Sequence, residues 1–322
     1  MNNKNAIPEI FLQRLTQMVG FSVAQTIEKT FVERPTTFRV NTIKSNCEEV
    51  LDSLRSAGFK VDRVAWYPDA FILRNKSKRD LTETELYQTG KMYIQSLASM
   101  IPPLVLDSQP GEKILDLTAA PGSKTSQIAA LMGKQGELVA NDNNKVRFFK
   151  LKHNMELLGV PHNDHKPWSF ILRMEHGAGL SSEYHEYFDK ILLDAPCSAE
   201  ARFVAGEPTT YGYWSERKIK EMAFKQRTLL LSAWQALKPG GTLVYSTCTF
   251  APEENELQII RLLDRFSDAI LAPIKIKLPQ ALPPLKSWKG KELPPELKNT
   301  YRIMPTKEIE GFFVAKLVKN QD

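Results

Sequence analysis

Two cysteines at the ends of apolar runs are the residues of this chain best placed to do chemistry. Cys197 lies in the segment Lys190–Ser198, and Cys248 lies in the segment Gly241–Thr249. Because ligands bind at the carboxyl edge of an open α/β sheet, two thiols at that edge indicate covalent chemistry on an electrophilic ring. A lone free cysteine is most often an inert buried residue, and that interpretation suits Cys47.

A third strand-like run leads into a loop that suits a cofactor. Ile114–Leu117 is followed by the segment Thr118–Thr125. Gly122 in this segment lets the backbone approach a ligand, and a helix is expected from Lys124 onward. Asp142 ends the next run, where a carboxylate can accept hydrogen bonds from both ribose hydroxyls of an adenosine. A nicotinamide nucleotide and S-adenosylmethionine fit these features equally well.

The pair of cysteines favours S-adenosylmethionine and methyl transfer to cytosine. A cytosine ring does not give up its carbon-5 proton to direct attack. A thiolate must first add at carbon 6, which makes carbon 5 a nucleophile, and a second group must then remove the carbon-5 proton. Two thiols at neighbouring strand ends can serve these two stages, although their spacing does not say which one attacks.

The composition is that of an enzyme without a disulfide framework. The 322 residues are 42% hydrophobic, enough for a sizeable core, and include only three cysteines. The five histidines do not fall at metal-ligand spacing, so no metal is expected. We find no signal-peptide pattern and no run long enough to span a membrane, and we therefore expect a cytoplasmic protein with no membrane contact.

Positive charge is concentrated in two stretches. The net charge is +6 and the isoelectric point is about 9.0. Residues 271–322 carry ten Lys/Arg against five Asp/Glu, and the segment Lys145–His153 contains five basic side chains. Either stretch alone is typical of solvated surface. Together they indicate a polyanionic partner, and nucleic acid is the expected one.

Apolar periodicity divides the chain into three parts. Residues 1–30 predict a helical extension, residues 31–90 a small α/β domain that contacts RNA, and residues 91–322 a domain of alternating strands and helices. Seven of the twenty prolines fall between Pro273 and Pro305, which predicts an irregular excursion there. The elements predicted most clearly are the strands Thr37–Asn41, Phe71–Leu73, Ile114–Leu117, Glu137–Ala140, Lys190–Leu193, Thr242–Tyr245 and Gly311–Leu317 and the helices Glu48–Ala57 and Ser215–Leu237.

At these motifs the chain resembles the Nop/Sun family of S-adenosylmethionine-dependent RNA cytosine-5 methyltransferases, in its bacterial RsmB/RsmF-like branch. The resemblance implies a Rossmann-like class I methyltransferase sheet preceded by a small ferredoxin-like (RRM-like) α+β domain. It also implies S-adenosylmethionine as cofactor, with no metal. The segments that carry it are Arg34–Thr42, Tyr93–Gln95, Asp116–Thr125, Asp142–Arg147, Asp194–Ser198, Tyr245–Thr249 and Glu253–Glu256.

The resemblance also assigns roles. Cys248 is implied as the nucleophile, and Cys197 as the group that aids proton removal and product release. Asp194 is implied to hold the amino edge of the cytosine and to border the cofactor, and Lys124 to face the reaction centre. The implied cofactor-binding residues are Thr118, Ala119, Ala120, Pro121, Gly122, Ser123, Lys124, Asp142, Arg147, Glu175 and Asp194.

Two segments depart from the family pattern. The family has an Asp-Gly pair after its third strand, and here either Glu175 or His176 is expected to take that place. The family sequence Cys-Ser-Gly-x-Gly is altered at Ala199–Ala201, which stiffens the loop and adds side chains where the base is expected to enter. The following residues suit either RNA contact or anchoring of the loop; they are Arg202, Phe203, Tyr211, Tyr213 and Trp214.

The sequence therefore predicts methyl transfer from S-adenosylmethionine to carbon 5 of a cytosine in RNA, either ribosomal or transfer RNA. The base has to leave its stack, so the expected partner is a structured RNA with a flipped cytosine. One alternative is methylation of an exocyclic amine, but such enzymes carry Asp/Asn-Pro-Pro-Tyr where this chain has Asp194–Cys197. The other alternative is a non-catalytic RNA-binding or assembly factor on the same fold.

Overall fold

The computed structural model describes residues 6–161, 167–276, 278 and 280–321. It begins with two helices, α1 (Glu9–Val19) and α2 (Phe21–Glu28). Gly20 joins them with a φ of 81°, a conformation that glycine adopts without strain. Both helices lie in the stretch predicted to be helical, of which residues 1–5 fall outside the described part.

A small antiparallel sheet follows, with helices between its strands. Its strand order is β2-β3-β1-β4, with every neighbouring pair antiparallel. This is the expected ferredoxin-like arrangement, in which a pair of short helices takes the place of the second helix. The elements are β1 (Thr37–Val40), α3 (Cys47–Ser56), β2 (Val61–Arg63), β3 (Ala70–Leu73), α4 (Lys78–Thr82), α5 (Glu85–Gln88) and β4 (Met92–Ile94).

The rest of the chain forms a large sheet with helices on both faces, together with a separate antiparallel pair of two-residue strands (Ser287–Trp288 with Lys291–Glu292). Its elements are α6 (Ile101–Leu106), β5 (Lys113–Asp116), α7 (Ser123–Leu131), β6 (Gly136–Asn141), α8 (Lys145–Leu157), β7 (Trp168–Arg173), β8 (Phe188–Asp194), α9 (Glu216–Ala236), β9 (Leu237–Thr247), α10 (Glu256–Arg265), β10 (Ala269–Ala272), β11 (Ala281–Leu282), β12 (Ser287–Trp288), β13 (Lys291–Glu292), β14 (Tyr301–Ile303) and β15 (Phe312–Lys319). The strand order is β11-β14-β15-β9-β8-β5-β6-β7, and β10 also pairs with β15. Strands β7, β6, β5, β8 and β9 run parallel, as expected for a Rossmann-like sheet.

Alternation along the central strands explains why both faces of the sheet are covered. Ile114 packs in one core with α7 and α8, and its neighbour Leu115 packs in the opposite core with α9 and α10. On β8, Leu192 belongs to the first core, whereas Ile191 and Leu193 belong to the second. Because both faces are buried, these strands are continuous apolar runs. Because these strands run parallel, their carboxyl ends meet at one edge of the sheet.

The predicted excursion between Pro273 and Pro305 is only partly irregular. It contains the short strands β11 to β14, and β14 joins the large sheet through β15. Residues 277 and 279 of this stretch lie outside the described residues. Strands of two or three residues are too short to produce a periodic pattern in the sequence, so they could not be predicted.

Two buried polar side chains of the small sheet fix it to the large one. Arg39 is fully buried and donates to Ser126 Oγ of α7 at 2.9 Å and to Gln95 Oε1 at 3.3 Å. Asn41 donates to the Leu158 carbonyl at the end of α8 at 2.9 Å. Burial lowers the pKa of Arg39. These contacts hold the small sheet against the two helices that flank the segment Thr118–Thr125.

The N-terminal helices pack on the loop that follows Cys197. Phe11 of α1 lies with its ring centroid 5.0 Å from that of Phe203 and 5.7 Å from that of Trp214. Phe203, Tyr211 and Trp214 are all buried, so these three residues anchor the loop and are not available to stack on a base. Arg202 is exposed, as is half of the Tyr213 side chain. Only these two of the five loop residues can reach RNA.

We predict that Phe11→Ala lowers the free energy of unfolding by about 3–5 kcal/mol, because it removes a buried ring and leaves a cavity among three other aromatic side chains. The matched control is the preceding residue, since Ile10 is 56% exposed. Ile10→Ala should change the free energy of unfolding by less than about 0.5 kcal/mol. Urea unfolding of the two variants measures both values. Equal losses would show that α1 does not stabilise the loop.

Candidate active site

The two sequence-predicted thiols lie side by side. Cys197 follows β8 and Cys248 follows β9, and these strands are parallel neighbours with Asp194 opposite Ser246. The two Sγ atoms are 3.3 Å apart, which is hydrogen-bond distance for sulfur. Cys248 is 8% exposed, so its thiol is nearly withdrawn from water. All three cysteines of the chain are free.

The surroundings of the two thiols separate their acidities. The hydrogen bond from Cys197 and the positive charge of Arg202 lower the pKa of Cys248, against the effect of burial. The hydrogen bond to Cys248, together with burial, raises the pKa of Cys197, and the charge of Glu254 adds to this. These surroundings make Cys248 the more acidic and Cys197 the less acidic thiol of the pair.

An ion pair between the buried Lys124 and the partly exposed Asp194 lies at the end of β8. Lys124 Nζ donates to Asp194 Oδ2 at 2.6 Å and to Ser99 Oγ at 2.6 Å, and Ser246 Oγ donates to Asp194 Oδ1 at 2.8 Å. Thr118 Oγ1 donates to the main-chain carbonyl of Asp194 at 2.8 Å. The structure thus brings Thr118, Lys124 and Asp194 together. Ser99 and Ser246 complete the group; Ser246 lies in the segment Tyr245–Thr249 that carries the resemblance, whereas Ser99 was not predicted.

The loop between β5 and α7 is shaped by one glycine and held by α8. Gly122 has a φ of 104°, and a Cβ there would lie 2.5 Å from Met155 Cε, so this position needs glycine. The Ala120–Pro121 peptide is cis. Asn154 of α8 donates to the Pro121 carbonyl at 2.7 Å, and Arg147 donates to the Ala120 carbonyl at 2.6 Å.

Asp142 is buried beneath this loop. One of its oxygens accepts from the Ala120 N–H at 3.3 Å and lies 3.1 Å from the Arg147 guanidinium, and the other accepts from the Asn144 N–H at 3.0 Å. In the structure Asp142 therefore already organises the loop. The backbone N–H of Glu175 donates to Asn141 at 3.0 Å, which places the ends of β6 and β7 together.

The side chain of Glu175 is exposed and pairs with Arg173 at 3.2 Å, and His176 is exposed beside it. Both candidates for the place of the family's aspartate therefore lie at the surface at the end of β7. The structure brings the Glu175 main chain to the loop, whereas its carboxylate faces solvent.

Asp116 offers a hydrogen-bond acceptor at the same edge of the sheet, although it was not among the predicted cofactor-binding residues. Its side chain is buried at the end of β5, and Oδ2 accepts from Thr125 Oγ1 at 2.7 Å. Among the described residues, Oδ1 has no hydrogen-bond partner. Burial raises the pKa of Asp116 to about 7. A buried carboxylate oxygen without a partner beside a loop and a helix N-terminus suits the ammonium group of an amino-acid ligand. The sequence signal was a polar residue that ends a buried strand.

The segment Glu253–Glu256 braces the two cysteine loops. Glu254 accepts from the Ser198 N–H at 2.9 Å, directly after Cys197, and burial raises its pKa to about 8. Asn255 donates to the Thr249 carbonyl at 2.9 Å, directly after Cys248. The motif thus acts on both thiols through their neighbours.

A second buried carboxylate links the same loops from the other side. Glu200 accepts from Thr249 Oγ1 at 2.8 Å, from the Phe250 N–H at 3.0 Å and from Trp214 Nε1 at 2.8 Å. Its side chain therefore points into the protein and does not occupy solvent where a base would enter. Ala199 has a φ of 57°, in the left-handed region that favours glycine.

The fold and the arrangement of this edge define a Rossmann-like methyltransferase. A family model described as 16S rRNA methyltransferase RsmB/F matches residues 103–318, and one described as the N-terminal domain of 16S rRNA methyltransferase RsmF matches residues 7–97. The chain belongs to this RsmB/F methyltransferase family, which confirms the resemblance found in the sequence.

Named relatives and solved structures agree with this family. The chain is 36% identical to the tRNA (cytosine(49)-C(5))-methyltransferase of Pyrococcus abyssi, covering 87% of each chain. It is 35% identical to the ribosomal RNA small subunit methyltransferase F of Vibrio vulnificus, covering 99% of this chain but 65% of that enzyme's length. A methyltransferase homolog from Pyrococcus horikoshii superposes with a TM-score of 0.80 at 36% identity, over 97% of this chain and 95% of that one. NSun6 from Pyrococcus horikoshii shares the fold at a TM-score of 0.81 and 23% identity, and the match covers 99% of this chain and 100% of that chain.

Two further findings concern the described residues only. They contain no group of three or more His, Cys, Asp or Glu side chains arranged to hold a metal ion. None of their helices combines the length and the apolar composition that crossing a membrane requires.

We predict that Arg202→Gln raises the pKa of Cys248, because the variant removes a positive charge that favours the thiolate. Alkylation of Cys248 by iodoacetamide, followed by peptide mass mapping against pH, measures this pKa directly. The alkylation rate at neutral pH should fall several-fold. Arg265→Gln, at the exposed end of α10, is the control and should leave the profile unchanged. A pKa unaffected by Arg202→Gln would remove this side chain from the thiol site.

Proposed function

We propose that this protein transfers a methyl group from S-adenosylmethionine to carbon 5 of a cytosine in RNA through a covalent bond to Cys248. The observation that carries the proposal is the pair of thiols 3.3 Å apart, of which one has a lowered and the other a raised pKa. Addition to carbon 6 needs a thiolate, and the later step needs a group that exchanges a proton. The two environments match these two needs.

Each residue then has one task in the reaction. The Cys248 thiolate adds to carbon 6. The electron pair of the carbon 5–carbon 6 double bond moves to the carbon 4–carbon 5 bond and charge passes to nitrogen 3, which gives an enamine whose carbon 5 is nucleophilic. S-adenosylmethionine supplies an electrophilic methyl group. Removal of the carbon-5 proton restores the double bond and breaks the bond from carbon 6 to Cys248. Cys197 lies beside the departing sulfur and passes its proton to it, and the Cys197 thiolate formed in this way accepts the carbon-5 proton.

Asp194 is the residue we place at the amino edge of the cytosine. Its carboxylate is oriented by Lys124 and Ser246, so it presents a fixed acceptor close to the thiols. We place the cofactor along the loop Thr118–Lys124, beside Asp142, Arg147 and Glu175. The partnerless oxygen of Asp116 supports this placement, because it matches the ammonium group of the methionine portion.

The substrate we propose is a structured RNA in the cytoplasm whose target cytosine is flipped out. Ribosomal and transfer RNA both fit, since the relatives include enzymes named for each. The three free cysteines suit a reducing compartment. The predicted division into residues 1–30, 31–90 and 91–322 also remains a proposal, with the second part contacting RNA.

We predict that Asp142→Ala weakens S-adenosylmethionine binding by about 1–3 kcal/mol, the loss expected for a charge-assisted hydrogen bond to ribose. Isothermal titration calorimetry of the apoprotein measures the change. Asp142→Asn keeps the size of the side chain and one acceptor oxygen, so it retains one of the two backbone contacts to Ala120 and Asn144 without the charge, and its affinity should fall between those of the parent and the alanine variant. Unchanged affinity in a folded alanine variant would exclude Asp142 from the cofactor site.

The roles of the two thiols can be separated by trapping. Cys248→Ala should abolish methylation and form no covalent adduct, because no thiolate attacks carbon 6. Cys197→Ala should still attack and transfer the methyl group, but it should stall with RNA attached through Cys248. Incubation with cellular RNA and S-adenosylmethionine, followed by a denaturing gel with and without RNase, measures the adduct.

The double variant Cys197→Ala/Cys248→Ala is the control and should show no shifted band. A shifted band in Cys248→Ala, with none in Cys197→Ala, would exchange the two roles. Absence of methylation and adducts from every protein, the parent included, would favour the non-catalytic assembly factor.

A further inference from the structure

Helix α8 presents an apolar surface to solvent on the side opposite its core contacts. Val146 is 66% exposed and Phe149 is 54% exposed. Leu151 and Met155, on the inner side of the same helix, are buried against Gly122 in the loop between β5 and α7. The helix therefore packs on the cofactor loop and carries an uncovered aromatic ring in a groove that Pro121 of the same loop also lines.

The exposed ring lines a groove of about 520 Å³. Phe148 packs edge-on against Phe149 with ring centroids 5.9 Å apart, so the ring is held by its neighbour and its other face is open. The residues that line the groove are Pro121, Val146, Phe149, Lys150, His153 and Asn154. A groove of this volume has room for a nucleobase and its sugar, and its lining offers one aromatic ring together with the amide of Asn154 and the imidazole of His153.

The charges around the groove are positive and largely uncompensated. Lys145 and Lys150 form no ion pair with any residue that the structure describes. Lys152 approaches Glu156 only at 4.0 Å, and Arg147 is the one member of the stretch held closely, by Asp142 at 3.1 Å. Lys150 lines the groove beside Phe149, and Lys145 lies one helical turn before that ring, so both ammonium groups favour a phosphate near a stacked base.

A second groove of the same volume shows that an exposed phenylalanine is not always accompanied by positive charge. It lies on α1 and α2, is also about 520 Å³, and contains Phe21, which is 67% exposed. Its charged lining residues are Glu9 and Glu28, and its described lining contains no basic side chain. The two grooves are alike in size and apolar content and opposite in charge, so only the α8 groove is complementary to a polyanion.

We propose that the α8 groove is a second RNA contact, in which an unpaired base stacks on Phe149 while its phosphates lie against Lys145 and Lys150. Pro121 belongs both to this groove and to the cofactor loop, so a nucleotide bound there lies next to the proposed cofactor site. The inference rests on the proposed function only in taking RNA as the substrate. It adds a site for a nucleotide that is not methylated.

The test uses binding and crosslinking, so that it does not depend on methylation. The probe is a short fluorescein-labelled polyuridine oligonucleotide, read by fluorescence anisotropy, and the same oligonucleotide with one 5-iodouridine for photocrosslinking and peptide mapping. Phe149→Ala should lower affinity about 5- to 150-fold, the range that loss of one base–aromatic stack gives. Phe149→Trp should keep the affinity, and Lys150→Ala should lower it and flatten its dependence on salt.

Phe21→Ala is the matched control and should bind as the parent does. The proposal is overturned if Phe149→Ala binds like the parent and no crosslink maps to α8, which would leave the groove to a protein partner, or if the parent does not bind the oligonucleotide. If the crosslink maps to Phe149 but no protein forms an adduct with cellular RNA, the α8 contact stands and the proposed methylation fails. The two conclusions can therefore be lost separately.

Discussion

The hydrogen bond between Cys197 and Cys248 is the contact on which the rest of the site depends. Two thiols on separate strands stay 3.3 Å apart only if the loops that carry them are rigid. Glu254 and Glu200 supply that rigidity, because each buried carboxylate accepts hydrogen bonds from the residues next to one or both cysteines. Burying carboxylates costs free energy unless they are fully partnered, and the raised pKa values of both groups reflect that cost. The structure thus keeps two costly buried carboxylates, Glu254 and Glu200, where they fix the positions of the thiols.

The same requirement explains contacts that lie far from the thiols. The loop after Cys197 contains Ala199 in a left-handed conformation, which has to be imposed by its surroundings. Glu200 ties the loop to Phe250, and the ring of Phe203 is enclosed by α1. The N-terminal helices are therefore part of the support for the catalytic edge. Arg39 performs the matching task for the small sheet, which it connects to α7.

The sequence predicts the features that follow from local pattern. Continuous apolar runs predict parallel strands, and parallel strands bring Cys197, Cys248 and Asp194 to one edge. The three-residue strand β4 and the edge strand β7 were not predicted, since neither has a long buried run. Burial of Trp214 could not be predicted because its partner Phe11 is distant in sequence. The free oxygen of Asp116 could not be predicted either. Only the folded chain brings Thr125 to one carboxylate oxygen and leaves the other without a partner among the described residues.

Helix α8 shows how one element can serve the cofactor and the nucleic acid together. On its inner side, Asn154 and Arg147 bond the loop carbonyls, and Met155 packs against Gly122. On its outer side, the exposed ring of Phe149 lies among lysines. Movement of the helix would shift both surfaces, since the loop is bonded to its side chains and not only to its ends. If the proposed nucleotide and the proposed cofactor both bind, one rigid helix bears both contacts, because the side chains that bond the loop and the ring that faces the groove belong to the same turns of α8.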